Sequence, residues 1–82
     1  MATKDILSPL PGTFYRKPSP DAAPYKKEGD AVKKGDVVGL IEVMKSFHEV
    51  HADADGTIAS FFAYNEEPVM AGQPLACLLY TS

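Results

Sequence analysis

Glu42-Val43-Met44-Lys45-Ser46-Phe47 places a single lysine between two runs that both read as strands. Upstream, Val37-Val38-Gly39-Leu40-Ile41-Glu42-Val43 is rich in β-branched residues. Downstream, Phe47-His48-Glu49-Val50-His51-Ala52 mixes polar and apolar residues as a half-exposed strand does. No room is left for a loop, so the chain reverses in a hairpin over 42–47 with Met44 and Lys45 at its tip. A tip lysine is exposed, sterically free and flanked by rigid backbone.

The chain on either side of that hairpin is an internal repeat. Glu28-Gly29-Asp30-Ala31-Val32-Lys33-Lys34-Gly35-Asp36-Val37-Val38 aligns with Asn65-Glu66-Glu67-Pro68-Val69-Met70-Ala71-Gly72-Gln73-Pro74-Leu75 at a spacing of 37. Val32 then meets Val69, Gly35 meets Gly72, Val38 meets Leu75, and Ile41 meets Leu78. Gly35 and Gly72 are expected at turns with positive φ, which glycine adopts at little cost. A second matched pair, Gly12-Thr13-Phe14 and Gly56-Thr57-Ile58, lies 44 apart, so the first half holds about seven additional residues. They fall in 17–25, where Pro18, Pro20 and Pro24 point to a stiff protrusion.

Glycines and prolines recur every several residues, and no window is left in which a helix would recover its nucleation cost. The expected fold is all-β: a flattened antiparallel barrel or sandwich of two pseudo-two-fold halves, with Val32, Val38, Ile41, Val50, Ile58, Val69, Leu75 and Leu78 in the core. Residues 1–5 are polar and read as a flexible N-terminus, with the domain over 6–80 and a strand beginning at Ile6-Leu7. Pro9 and Pro11 keep the next segment at an edge or in an extended crossover.

With 82 residues the chain builds one domain, burying about 60% of its unfolded surface, which leaves little for an enzyme with an enclosed pocket. The net charge of −3 is mild and the basic residues form no stripe, so no nucleic-acid partner is expected. No apolar run is long enough for a membrane-spanning helix, and no signal-peptide core opens the sequence. The lone Cys77 reads as core filler in a reducing, cytoplasmic setting.

Glu42-Val43-Met44-Lys45 resembles the Glu-Ala-Met-Lys signature of biotinyl domains, in which the lysine is amide-linked to biotin. Ser8-Pro9-Leu10-Pro11-Gly12-Thr13-Phe14-Tyr15-Arg16, Pro18-Ser19-Pro20-Asp21-Ala22 and the Gly-Asp turns extend the likeness from about Ile6 to Leu79. The chain is similar to the biotin carboxyl carrier domain of acetyl-CoA carboxylases, whose proline-rich insertion is a thumb beside the biotin. That resemblance implies a non-catalytic carrier, with a biotin protein ligase modifying Lys45. A biotin carboxylase and a carboxyltransferase would then exchange a carboxyl group on the arm, in fatty acid biosynthesis if the acceptor is acetyl-CoA.

Met44, Glu42, Ser46 and Lys17 join Lys45 as site residues. Ser46 stands where that family usually has methionine and Val43 where alanine is usual. Lys17 stands where a hydroxyl residue commonly meets the biotin ureido group; a side chain in water is the favoured reading over a ureido contact. A lipoyl carrier of a 2-oxo acid dehydrogenase or glycine-cleavage system shares the fold and the hairpin lysine, but Met44 and the thumb argue against it. An unmodified β-barrel interaction module is the third reading.

Other features read more plainly. His48 and His51 fall on opposite strand faces and so cannot share a metal without a bulge. Asp55-Gly56 is a turn, the later ligands of a calcium loop being missing. Of Phe61 and Phe62, one is expected inside and one outside. Glu42 and Glu49 are balanced between ligase recognition and plain solvation.

Overall fold

The repeat in the sequence returns as a repeat of strands. The computed structural model describes residues 2–80, with β1 Ala2–Leu7, β2 Gly12–Tyr15, β3 Ala31–Val32, β4 Val37–Val43, β5 Ser46–His51, β6 Gly56–Phe61, β7 Glu67–Val69 and β8 Pro74–Tyr80. One sheet has the order β1-β8-β6-β3 and the other β5-β4-β2-β7, and all neighbouring strands are antiparallel. Shifting β1 and β2 by 44 residues gives β5 and β6, and shifting β3 and β4 by 37 gives β7 and β8. Each strand of one sheet thus has a counterpart at the same place in the other, which is the expected pseudo-two-fold relation.

The turns obey the same relation, because each half must satisfy the same backbone groups where its chain leaves a sheet. The Gly29 amide donates to the Ile58 carbonyl at 2.7 Å as the Glu66 amide donates to the Phe14 carbonyl at 2.6 Å. Gly35 donates to Ala52 at 2.8 Å as Gly72 donates to Ser8 at 2.8 Å. Gly35 and Gly72 have φ of 95° and 82°, as expected. Asp36 accepts the Lys33 amide at 2.9 Å as Gln73 accepts the Met70 amide at 3.0 Å. The Lys33 amide, more than the Lys26 ammonium 3.5 Å away, holds the Asp36 carboxyl below its usual value, against an opposing desolvation penalty.

All eight expected core residues are buried, and Ile6, Phe14, Ala52, Ala63 and Ala76 join them. Phe14 and its counterpart Ile58 are both 0% exposed, one from each sheet. Within each sheet one strand crosses its neighbour where a side chain is absent: a Cβ on Gly12 would lie 2.4 Å from the Glu42 carbonyl oxygen of β4, and one on Gly56 2.3 Å from that of Leu79 in β8.

Two expectations change. The first strand reaches back to Ala2, because residues 2–5 pair with β8 from Tyr80 to Cys77; Met1 lies outside the described residues. Cys77 is only half-buried, since strand alternation sets it opposite Ala76 and Leu78, which take the core positions. As expected of the Phe61 and Phe62 pair, Phe61 packs against the core, with the Arg16 guanidinium 3.9 Å from its ring centre, and Phe62 is exposed, as is Tyr64.

Because Phe14 has no exposed surface and belongs to the core cluster that both sheets build, its truncation leaves a cavity that two short-stranded sheets cannot close. Phe14→Ala is expected to cost about 3–5 kcal/mol, measured by urea unfolding against wild type. A cost under about 1 kcal/mol would show that the two sheets do not depend on this residue.

Candidate functional site

β4 and β5 stay in register to the last pair, Val43 opposite Ser46, so only Met44 and Lys45 close the hairpin. Both have positive φ, 49° and 69°, the signature of a type I′ turn whose twist matches that of the strands it joins. Asn-Gly suits such a turn best; Met-Lys holds it against a steric penalty of about 1–2 kcal/mol per residue in the left-handed region. The flanking ladder imposes that conformation. Met44 is 94% exposed, and Lys45 and Ser46 are exposed beside it. A methionine so placed does nothing for packing, and the lysine amine stands in water at the end of a hydrogen-bonded ribbon.

Just behind the tip, the outer face of the β5-β4-β2-β7 sheet is covered by the proline-rich protrusion. Its neck is closed by the Tyr25 amide donating to the Arg16 carbonyl at 2.9 Å, and its crest turns with Ala22 bonded to Ser19 at 3.1 Å. The Arg16 amide donates to Asn65 Oδ1 at 2.8 Å, which ties the neck to the loop before β7. Burial pushes the Tyr25 phenol pKa up, and the nearby Glu49 charge adds to it. Between protrusion and sheet lies an open cleft of about 350 Å³ lined by Tyr15, Lys17, Pro18, Ser19, Pro20, Leu40, Glu42, Phe47, Asn65 and Glu66. Leu40 is buried on this outer face, apart from the main core.

The cleft walls are fixed by packing and hydrogen bonding. The Tyr15 hydroxyl donates to Glu42 Oε1 at 2.9 Å, and its ring meets Phe47 at 6.1 Å between centres. That hydrogen bond, with partial desolvation and then the charges of Glu42 and Glu66, raises the Tyr15 pKa above its ordinary 10.0. Glu42 and Phe47 are a cross-strand pair one step behind Val43 and Ser46. At about 3.4 Å per strand residue, the cleft begins about 7–10 Å from the amine's Cα.

The five residues singled out in the sequence therefore divide. Met44, Lys45 and Ser46 form the tip, and Glu42 and Lys17 line the cleft. Lys17 is half-buried there, although a position in water was the favoured reading. Glu42 is bonded to Tyr15, and Glu49 lies 3.2 Å from His51 Nε2, so neither carboxylate is merely solvated. Tyr15, Phe47, Asn65 and Glu66 escaped sequence reasoning. Glu66 left a signal: the spacing of 37 sets it under Gly29, and both take positive φ, 66° and 93°.

Two substitutions check this geometry. Glu42→Gln is expected to bring the Tyr15 pKa back down towards 10.0, followed by absorbance of the phenolate during alkaline titration; an unmoved midpoint would mean that the bond does not form. Glu66→Gly relieves a left-handed residue and is expected to stabilise the fold by up to about 1 kcal/mol in urea unfolding, whereas a loss of stability would contradict the assigned backbone.

The whole-chain comparisons agree with one another. A family model described as biotin-requiring enzyme matches residues 4–78. The chain is 46% identical over 70 residues to the biotin carboxyl carrier protein of acetyl-CoA carboxylase 2, chloroplastic, of Arabidopsis thaliana, covering 85% of this chain and 28% of that protein. It is 43% identical over 70 residues to the biotin carboxyl carrier protein of acetyl-CoA carboxylase of Pseudomonas aeruginosa, covering 85% and 45%. Among solved structures, the Kluyveromyces lactis urea carboxylase superposes with a TM-score of 0.78 at 26% identity, over 96% of this chain and 6% of that one. The chain thus spans less than half the length of these relatives.

Proposed function

The chain belongs to the biotin-requiring enzyme family, and from that membership we propose that it is a non-catalytic carrier bearing biotin on Lys45 for an acyl-CoA carboxylase. The observation that carries the reading is the exposed Lys45 at a two-residue turn, set directly in front of a cleft of mixed polarity. The site suits that group. A biotin head joins a polar urea to an apolar ring system, and the cleft offers Leu40, Phe47, Pro18 and Pro20 beside Lys17, Glu42 and Glu66.

When attached, biotin supplies a ureido nitrogen that accepts a carboxyl group in one active site and releases it in another. The chain's own residues attach, present and park the arm. Lys45 Nζ provides the amide linkage once a biotin protein ligase has activated the biotin carboxylate, and Met44, Glu42 and Ser46 are the surface that the ligase reads. Tethering raises the effective concentration of the head at both active sites without any chemistry from the carrier. Lys17 lines the cleft, and its Nζ donates to the urea oxygen when the arm folds back. The partners are a biotin carboxylase and a carboxyltransferase in the cytoplasm, and the names of the relatives, carriers of acetyl-CoA carboxylases, favour acetyl-CoA as the acceptor.

A lipoyl arm is the weaker reading. Its dithiolane ring has no donor for Glu66 or Glu42 and no strong acceptor for Lys17, so the polar half of the cleft would meet only water.

Co-expression with a biotin protein ligase and intact-mass measurement test the assignment. One biotinyl group is expected on wild type and none on Lys45→Ala, whose fold the substitution of an exposed tip residue leaves unchanged. A lipoyl increment, or biotin retained in Lys45→Ala, would contradict it.

A further inference from the structure

The turn 64–67 is the counterpart of the turn 27–30, and the two are built alike except at one position. In both, the residue before the left-handed one bridges to a neighbouring strand or its extension: Glu28 Oε2 accepts the Phe61 amide at 3.0 Å and Asn65 Oδ1 accepts the Arg16 amide at 2.8 Å. In both, the acidic residue after it closes the turn: Asp30 Oδ2 on the Lys27 amide and Glu67 Oε1 on the Tyr64 amide, each at 2.8 Å. The left-handed position itself is Gly29 in one turn and Glu66 in the other.

The turn has no structural use for a side chain at that position. A Cβ on Gly29 would touch nothing, and the Glu66 side chain makes neither a hydrogen bond nor an ion pair among the described residues. Its backbone amide does the structural work, bonding the Phe14 carbonyl, and any residue but proline supplies that. What distinguishes Glu66 from Gly29 is where the turn sits. No residue of the 27–30 turn lines the cleft behind Lys45, whereas Glu66 does, close enough for its charge to act on the Tyr15 hydroxyl.

Lys17 lines the same cleft and forms no ion pair with Glu66. The cleft thus holds an unpaired ammonium and an unpaired carboxylate. A cyclic urea presents the converse: a carbonyl oxygen that accepts and ring N–H groups that donate. Glu42 is less free for this task, since it already accepts the Tyr15 hydroxyl.

Resting on the carrier reading, we propose that Glu66 is a specificity residue of this chain, its carboxylate accepting a hydrogen bond from a ring N–H of the urea tethered at Lys45. With Lys17 on the urea oxygen, the two side chains select a head that carries both a carbonyl and an N–H, and they give nothing to a head that lacks them.

The test uses the domain biotinylated at Lys45, verified by intact mass, and follows exchange of the ring N–H protons with water by NMR. A biotinylated peptide with the sequence of residues 42–47 is the reference. In the wild-type domain at least one ring N–H is expected to exchange about tenfold more slowly than in the peptide, the factor that one charge-assisted hydrogen bond supplies. Glu66→Gly, which relaxes the turn and keeps the fold, is expected to return that rate to within about twofold of the peptide. Glu66→Gln, a neutral acceptor, is expected to fall between them. Ring N–H groups that exchange as in the peptide in wild type, or as slowly in Glu66→Gly as in wild type, would overturn the role of Glu66. A domain that takes up no biotin would overturn instead the reading on which it rests.

Discussion

Closing β4 onto β5 with two residues is the constraint from which the functional end of the molecule follows. Because the ladder runs without a shift from Gly39 and Val50 to Val43 and Ser46, Met44 and Lys45 must both adopt positive φ. Neither can relax without parting the strands. The same brevity leaves the lysine exposed, so its amine is presented in water on a support that does not give. Longer or glycine-rich turns would lessen the backbone strain but would let the amine wander.

The pseudo-two-fold relation explains why so small a chain manages this. The counterpart of the Val43 and Ser46 pair is Tyr80 opposite Ala2, where the chain has its two described ends. One end of the repeat is therefore open and the other is the hairpin. Between them, paired turns and paired core residues repeat the same solutions, so few distinct interactions must be specified. The thumb and Glu66 break the symmetry, and both lie at the cleft behind the lysine. Departures from a repeat that cost backbone freedom or strain without adding to the core mark where function has been laid over the fold.

Much of the fold was legible because the repeat tied distant residues together. The spacings of 37 and 44 located seven of the eight expected core side chains, all but Val50, with both glycine turns and the thumb. Phe14 was missed because Gly12-Thr13-Phe14-Tyr15 offers two adjacent aromatics and periodicity alone does not say which faces inward; its counterpart Ile58 would have decided it. Residues 2–5 looked frayed because strand β1 lies at a sheet edge, where polar side chains are ordinary and pairing leaves no apolar pattern. The tip was readable because it is contiguous. The cleft was not, since its lining comes from three separate stretches, 15–20, 40–47 and 65–66, which only the tertiary fold brings together.

The central claim is that Lys45 stands on a rigid turn held in the left-handed region by the strands behind it. Backbone 15N relaxation of Met44 and Lys45 measures this most directly. Order parameters near 0.85, equal to those of β4 and β5, are what rigid presentation requires, while values below about 0.6 at the tip would mean a mobile loop and would contradict the account.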